Sequence, residues 1–303
     1  MRMIHPWRSI LILCLALLGG GSMAWAETAP RQIAQTNPDT KPEPKTQPTP
    51  PGAVTLTLLA AESAAASGIL DHLAGLFSAK SGIKIRIVAR RIDEIVELAR
   101  QGQGDLIMFD DFEAEQAFLR ARLGTEREDV MYAELIVVGP ENDPAGVSGM
   151  VSVIDAFRQI STQEAPFITR NDDSSINRLE RRLWEEVGIV PEPGDRSWYR
   201  SSDADMRGTL RAAAQRGAYV LTDMATWLSF KERRKLVAQV GDDPRLQLRY
   251  SIVLLNPERF PKVRATEARA FIRWLTSREG QEAIQSFKVE DELPYSPHLD
   301  SKE

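Results

Sequence analysis

Short apolar runs alternate with segments of helical periodicity along most of the chain, and this alternation restricts the folds that it can adopt. Between Val54 and Arg122, three strand-like runs are each followed by apolar residues at helical spacing. A strand, a helix and another strand in succession favour a right-handed crossover between parallel strands. We therefore predict a parallel sheet with helices on both faces. The predicted strands are 54–59, 83–89 and 106–109, and the predicted helices are 69–77, 93–101 and 112–122.

Two longer strand-like segments enclose a second set of α/β elements. "YAELIVVG" begins at Tyr132 and "LQLRYSIVLLN" begins at Leu246. An α/β set between two long strands predicts an α/β fold of two lobes joined by two crossing strands, a clamshell with a ligand cleft. We predict that the first lobe comprises residues 53–134 and 250–303, and the second lobe 135–249. The remaining predicted elements are helices 153–162, 175–187, 206–215, 266–276 and 278–287 and strands 167–169 and 218–222.

The first 26 residues have the pattern of a secretory signal peptide. Arg2 and Arg8 give a positive start, residues 10–18 are apolar, and "AWA" at 24–26 is a small-x-small cleavage signal. The apolar run is too short to span a bilayer, although an uncleaved anchor is the alternative. We predict cleavage after residue 26 and a periplasmic location. The only cysteine, Cys14, leaves with this segment, so the mature chain has no disulfide.

Residues 27–52 differ sharply in composition from the rest. Seven prolines stand among Thr, Gln, Lys and Asp, with few apolar residues. Such a segment cannot bury enough surface to offset the entropy of ordering, so we predict a disordered tether. The solute-binding domain is then 53–303. The formal net charge is −5, which argues against a nucleic-acid partner.

Loops at the carboxyl ends of strands are expected to face the cleft, where helix N-termini present N–H groups that favour anions. The segment "TRNDDSS" is such a loop. Arg170 is predicted to contact the ligand, and an ion pair with Asp172 or Asp173 is the alternative. Asp173 and Ser174 are predicted as helix caps, and Ser174 also as a ligand contact. Ser63 has the same two interpretations at the first strand-to-helix turn.

Other polar and aromatic groups have simpler interpretations. "KERRK", residues 231–235, is predicted to be a solvated helix end that precedes Leu236. The tryptophans at 184, 198, 227 and 274 are predicted to lie in the core. The three histidines are scattered, and no metal-ligand spacing, nucleophile elbow or glycine-rich phosphate loop occurs. We therefore predict neither an enzyme nor a cofactor.

Five segments resemble one family, the periplasmic tungstate-binding proteins of ABC importers, which have the type II periplasmic-binding-protein fold. The most specific are "APFITRNDDSS" and "GAYVLTDMATWL", and the collinear likeness covers about 55–295. The other segments that carry the resemblance are "EREDVMYAELIVVGPENDPAG", "YSIVLLNPERFPKV" and "AFIRWLTSREGQEAIQSFKV". The resemblance implies a clamshell that closes on a small oxyanion and delivers it to a membrane permease.

The ligand pocket departs from the family pattern at several turns. Ala60–Ser63 replaces a Thr-Thr-Thr-Ser turn, and Arg91–Glu94 replaces a Gly-Thr-Gly-Gln turn. Asp110 stands where the family has histidine, and Met224 where it has arginine. Hydroxyl and backbone donors are lost and negative charge is added, so we do not expect tungstate binding of the usual kind. The alternatives to an oxyanion are a larger, zwitterionic or cationic ligand, or no transport ligand at all.

The leading hypothesis is an exported, monomeric substrate-binding protein of an ABC importer, with an inner-membrane permease as its partner. The alternative is a periplasmic sensor or adaptor that keeps the clamshell and binds a protein partner. Arg207 stands where the family usually has glycine, before the Gly208–Thr209 turn that keeps the pattern. The candidate ligand-binding residues are Glu62, Ser63, Arg91, Arg170, Ser174, Arg207 and Thr209.

Overall fold

The computed structural model describes residues 54–194 and 196–298. The signal peptide predicted at 1–26 and the tether predicted at 27–52 lie outside the described residues. Within the described part of the chain, no helix has both the length and the apolar character needed to cross a membrane. The strands are β1 Thr55–Ala61, β2 Lys84–Arg90, β3 Leu106–Phe109, β4 Gly124–Pro140, β5 Phe167–Thr169, β6 Tyr199–Ser201, β7 Val220–Asp223, β8 Leu236–Val240, β9 Gln247–Leu255 and β10 Tyr295–Pro297. The helices are α1 Glu62–Ser67, α2 Ile69–Ser81, α3 Ile92–Arg100, α4 Phe112–Arg120, α5 Val153–Thr162, α6 Ser175–Val187, α7 Met206–Arg216, α8 Met224–Ser229, α9 Ala265–Leu275 and α10 Arg278–Gln285.

The first lobe is built on the parallel strands predicted from the sequence. β1 pairs with β2 on one side and with β3 on the other, in parallel register in both cases. β9 then pairs antiparallel with β3, and β4 and β10 follow at the far edge. The βαβαβα order therefore gave the correct sheet, and the return strand β9 adds the antiparallel part.

Strand β4 runs through both lobes. Its first part, up to Glu134, pairs with β9, whereas Leu135–Val138 pairs with β7 and Val137–Pro140 with β8. The partners of β4 thus change between Glu134 and Leu135, and we propose this point as one boundary of the lobes. The second boundary, at 249/250, stays a prediction.

The sheet buries apolar side chains on both faces because successive residues of a strand point in opposite directions. On β1, Leu58 packs in the largest cluster of buried side chains, and its neighbour Leu59 packs in a second cluster with Ile95 and Phe118. On β4, Val137 joins the largest cluster, whereas Val138 joins a third. Helices therefore cover both faces, which leaves the carboxyl ends of the strands as the accessible edge.

An aromatic cluster forms the centre of the second lobe. The ring centroids of Phe157 and Trp184 are 4.3 Å apart, and those of Phe167 and Trp184 are 5.2 Å apart. Trp198 and Tyr199 complete the cluster. The core position predicted for the four tryptophans is confirmed, since each is buried.

Some local predictions were wrong, and most of these concern short elements. Residues 231–235 are not a helix end, because α8 already ends at Ser229 and Leu236–Val240 is the strand β8. Ser63 is not the N-cap of α1, since the cap position is Ala61. The elements that the sequence did not reveal are α1, α8, β6, β8 and β10; all are short, and β8 and β10 pair with the distant strand β4.

Candidate functional site

A cavity of about 240 Å³ lies where five helices begin. The starts of α1 and α3 come from the first lobe, and the starts of α6, α7 and α8 come from the second. Residues of both lobes therefore line one space at the carboxyl ends of the strands, as the sequence predicts for a cleft. The lining residues include Glu62, Ser63, Arg90, Arg91, Asp93, Asp110, Arg170, Asp172, Asp173, Ser174, Ser175, Asp205, Arg207, Asp223 and Thr226.

The loop between β5 and α6 supplies the arginine of the cavity wall. Arg170 forms the ion pair with Asp172 that was the alternative, and it also lines the cavity, so its contact with a ligand stays a prediction. Asp172 accepts a further hydrogen bond from the N–H of Ser174 at 3.1 Å. The hydroxyl of Ser174 caps α6 by accepting the N–H of Asn177 at 3.3 Å, as predicted. Asp173, also predicted as a cap, does not cap α6: it lines the cavity and its carboxylate pairs with Arg181.

A buried hydrogen-bond network stabilises the loop between β5 and α6. The side-chain amide of Asn177 donates to the hydroxyl of Thr169 at 2.9 Å. Glu180, which is 2% exposed, accepts from the hydroxyl of Tyr199 at 2.8 Å and from the indole N–H of Trp184 at 3.2 Å. Burial raises the pKa of Glu180 to about 7, and hydrogen bonds from Tyr199 and Thr169 only partly oppose this. The carboxyl of Glu180 thus connects the aromatic core to the strand that carries Arg170.

Asp110, at the end of β3, is the central acidic residue of the cavity. It is 6% exposed; one carboxylate oxygen, Oδ2, accepts from the hydroxyl of Ser63 at 3.3 Å. Ser63 also lies 3.1 Å from the hydroxyl of Tyr250. Among the described residues, the other oxygen, Oδ1, has no hydrogen-bond partner. Burial and the charge of Asp111 raise the pKa of Asp110, and the nearby Ser175 and Ser63 hydroxyls oppose that shift.

A second buried carboxyl, Asp223, faces the cavity from the other lobe. It caps α8 by accepting the N–H of Thr226 at 2.7 Å. Burial raises its pKa, and the hydrogen bonds to Thr226 and the charge of Arg170 lower it only in part. Within the described part of the chain, Nε of Arg170 is buried without a hydrogen-bond partner. Asp110 of the first lobe and Arg170 and Asp223 of the second lobe therefore bring opposite charges to one space.

The rim on the first lobe carries three predicted residues. Glu62 and Ser63 are the first residues of α1, and Arg91 occupies the N-cap position of α3. Arg91 is half exposed and lies 3.3 Å from the carboxylate of Asp93. Neither α1 nor α3 has a side-chain cap, so their first backbone N–H groups are not used by a side chain at the cap position.

The rim on the second lobe contains one predicted residue and requires one correction. Arg207 lines the cavity and donates to the hydroxyl of Ser229 at 2.9 Å. Thr209 does not line it: this residue is fully buried, and its hydroxyl donates to the carbonyl of Asp205 at 3.0 Å. The N–H of Gly208 is taken by the carboxylate of Asp205 at 2.7 Å. The Gly208–Thr209 turn is thus the first turn of a capped helix rather than a ligand contact.

An ion pair joins the two lobes beside the cavity. Nη1 of Arg178, on α6, lies 2.9 Å from Oδ2 of Asp111, whose other oxygen caps α4 by accepting the N–H of Ala114. The carboxylate of Asp111 is 5% exposed and the guanidinium of Arg178 is 29% exposed. The sequence places each residue at a strand or helix end, but their pairing across the cleft depends on the docking of the lobes.

Sequence reasoning did not select the acids Asp110, Asp205 and Asp223 as site residues. One signal was available: each stands at the end of a strand or just before a helix, where cleft residues are expected. Asp110 and Asp111 follow each other at the end of a strand, where successive side chains are expected to point to opposite faces. They do diverge, and each has its own task, since Asp110 faces the cavity and Asp111 bridges the lobes.

The cavity lining is acidic. It contains seven carboxylic residues and four arginines, and Arg90, Arg91 and Arg170 are each within ion-pair distance of a carboxylate. Three of the five helix starts, those of α6, α7 and α8, already bind a side-chain oxygen at the cap. Within 54–194 and 196–298, no group of three or more potential ligands could hold a metal ion. The arrangement suits a ligand that carries positive as well as negative charge.

Comparisons with known proteins give a consistent result. A family model described as a PBP superfamily domain matches residues 39–279. A Haloferax volcanii protein, provisionally named an ABC transporter anion-binding protein, is 36% identical over 248 residues, which are 80% of this chain and 72% of the relative. The tungstate-binding protein TupA of Peptoclostridium acidaminophilum is 34% identical over 237 residues, or 78% and 82% of the two chains. The solved structure of TupA from Desulfovibrio alaskensis G20 superposes with a TM-score of 0.77 at 30% identity, covering 82% of this chain and all of that one.

Proposed function

The chain belongs to the PBP superfamily and, within it, to the family of tungstate-binding proteins, and from this membership we propose that it is the substrate-binding protein of an ABC importer. The protein would bind its solute in the cleft and present the closed form to a membrane permease. As a member of a solute-binding family, it is proposed to bind its ligand without changing it.

One observation carries this proposal more than any other. Residues from both lobes line a single cavity, and the Arg178–Asp111 ion pair bridges the lobes next to it. A ligand that contacts both walls favours the closed arrangement over the open one by its differential affinity. The outer surfaces of the two lobes then take up the closed arrangement only when the ligand is bound. A permease can recognise this closed arrangement.

The location and the partner follow from the proposed role. A substrate-binding protein of an importer works outside the cytoplasmic membrane, which agrees with the signal peptide predicted at residues 1–26. The proline-rich residues 27–52 would then separate the binding domain from what precedes it. We propose a monomer that docks on an inner-membrane permease.

The relatives bear on the charge of the ligand. One is named for anion binding and two for tungstate. Arg170 and the uncapped starts of α1 and α3 could receive an anionic group in this chain. The seven carboxylic residues of the lining would oppose a bare dianion, since two unit charges 4 Å apart repel by about 4 kcal/mol at an effective dielectric constant of 20.

Cross-linking in the cell envelope of the source organism tests the importer role. With a tag on this protein, we expect an ABC permease subunit and its ATPase to be the main captured partners, identified by mass spectrometry. Deletion of the gene for this protein and deletion of the permease gene should then abolish uptake of the same solute.

The sensor or adaptor alternative predicts a different outcome of the same experiment. It requires capture of a signalling or secretion component and unchanged uptake in the deletion strain. Capture of a permease that is still fully active without this protein would also contradict the proposal. An unrelated exported protein that carries the same tag is the control for nonspecific capture.

A further inference from the structure

Two side chains of opposite charge each have a buried atom without a hydrogen-bond partner at the same cavity. Oδ1 of Asp110 and Nε of Arg170 are buried, and neither has a hydrogen-bond partner among residues 54–194 and 196–298. Both residues line the cavity, one from each lobe. Folding normally pairs such atoms, because an unmet hydrogen bond in a buried charged group is costly. Oδ1 of Asp110 is therefore an acceptor, and Nε of Arg170 a donor, that a ligand in the cavity could pair.

The surroundings of Asp110 favour a positively charged partner. Asp223 is a second buried carboxyl of the cavity, and Asp111 adjoins Asp110 in the chain. Burial and the charge of Asp111 raise the pKa of Asp110, and the hydrogen bonds of Ser175 and Ser63 oppose this only in part. An ammonium or guanidinium group placed there would supply the missing donor and the missing charge.

Arg170 keeps one donor for an anionic group, beside the carboxylates of Asp172 and Asp223. Asp172 occupies one end of its guanidinium, which leaves Nε free to donate. Ser174 and Thr226 are also among the residues that line the cavity. A carboxylate or phosphate would accept hydrogen bonds from Arg170 and from such hydroxyls.

We propose that the cleft takes a small zwitterion, with its cationic group at Asp110 and its anionic group at Arg170. This inference rests on the importer function proposed above and specifies its substrate class. The cavity, at about 240 Å³, has room for a molecule with two separate charged groups.

Calorimetry with four probes tests the proposal. O-phosphoethanolamine carries both charges, inorganic phosphate only the negative one and ethanolamine only the positive one, and tungstate represents the family. We expect O-phosphoethanolamine to bind at least about ten-fold more tightly than each of the other three, the difference made by one added charged contact. Asp110→Asn should abolish this preference and leave the weak phosphate affinity unchanged or improved.

The control variant is Asp203→Asn, an exposed acid on the same side of the second lobe that does not line the cavity. It should keep the full preference for the zwitterion. Circular dichroism and a urea unfolding curve for Asp110→Asn establish that the variant is folded. If it is not, Ser63→Ala, which removes a hydroxyl that holds Asp110, should weaken the zwitterion preference instead.

The other outcomes separate this proposal from the importer function. Tighter binding of tungstate than of O-phosphoethanolamine, or zwitterion binding that Asp110→Asn leaves unchanged, would overturn the zwitterion assignment and leave the importer role intact. If none of the four probes binds but the permease is captured, the zwitterion assignment is overturned and the importer role again stands. Failure to capture a permease would overturn the importer role itself, whatever the probes show.

Discussion

Between pH 4.5 and about pH 7, the free energy of unfolding of the wild-type protein is expected to fall by about 3 kcal/mol because of Glu180. The variant Glu180→Gln is expected not to show this fall. The ordinary pKa of a glutamate side chain is 4.5, and burial raises that of Glu180 to about 7. The folded state thus holds this proton more tightly than the unfolded state does. The stabilisation is complete below pH 4.5 and is lost as the pH rises through about 7.

The hydrogen bonds of Glu180 explain why glutamine is a suitable replacement. The carboxyl oxygen that accepts from Tyr199 and Trp184 becomes the amide oxygen, which accepts in the same way. Glutamine stays neutral at every pH, so the variant should match the wild type at pH 4.5. Above pH 7 it should be the more stable of the two proteins by about 3 kcal/mol.

Urea unfolding of both proteins at several pH values between 4.5 and 8 measures this effect. The difference between the two curves cancels the contributions of Asp110 and Asp223, whose pKa values are also raised. Glu185→Gln, an exposed position on the same helix, is the matched control and should leave the pH dependence unchanged. A flat difference curve for Glu180→Gln would show that Glu180 titrates normally in the folded protein.

Replacing Arg178 with alanine is expected to shift the lobes toward the open arrangement by about 2 kcal/mol, or about 30-fold in the ratio of closed to open molecules. The variant leaves the carboxylate of Asp111 without its partner across the cleft. Truncating one partner of a buried pair costs about 2–5 kcal/mol, and the lower end applies because Arg178 is 29% exposed. Opening the cleft hydrates Asp111 and relieves this cost.

One spin label is placed at Glu94 on the first lobe and one at Arg200 on the second, since both positions are exposed. The distribution of distances between the two labels measures the shift toward the open arrangement. The sequence contains one native cysteine, Cys14, so Cys14→Ser is made in the same background. Arg181→Ala is the matched control, because Arg181 is one turn further along α6 and pairs with Asp173 of its own lobe. Equal distance distributions for the two variants would contradict a bridging role for Arg178.

The scaffold could be predicted because the information for it is local. The helix over Ser175–Val187 and its cap at Ser174 were predicted from a few adjacent residues, and the structure has both. The parallel pairing of β1, β2 and β3 follows from the order of the elements and the handedness of their connections. Short elements such as β8 were missed because their stability comes from a distant partner strand rather than from their own sequence.

The candidate site could be predicted only in part. Arg170 and Ser63 line the cavity, as expected from loops at strand ends, and so does Arg207, which was named from the family motif. Thr209 has the right position in the same motif but is buried in α7. The cap of that helix, Asp205, already takes the N–H of Gly208. The match to the family motif therefore predicted the helix correctly. It did not show which backbone and side-chain groups of that helix are free to bind a ligand.

The sequence by itself determined the two α/β sets, the crossing strands and the arginine-bearing turn, because periodicity, caps and connection rules act over short stretches of chain. Only the tertiary structure decided which of these groups face one another. Ser63, Asp110 and Tyr250 meet although up to 187 positions separate them, and Asp111 meets Arg178 across 67. Charge pairing and burial depend on distances in space, so the sequence predicted added negative charge at the cleft, whereas only the tertiary structure decided which charged groups are buried there and which atoms of Asp110 and Arg170 stay without a partner.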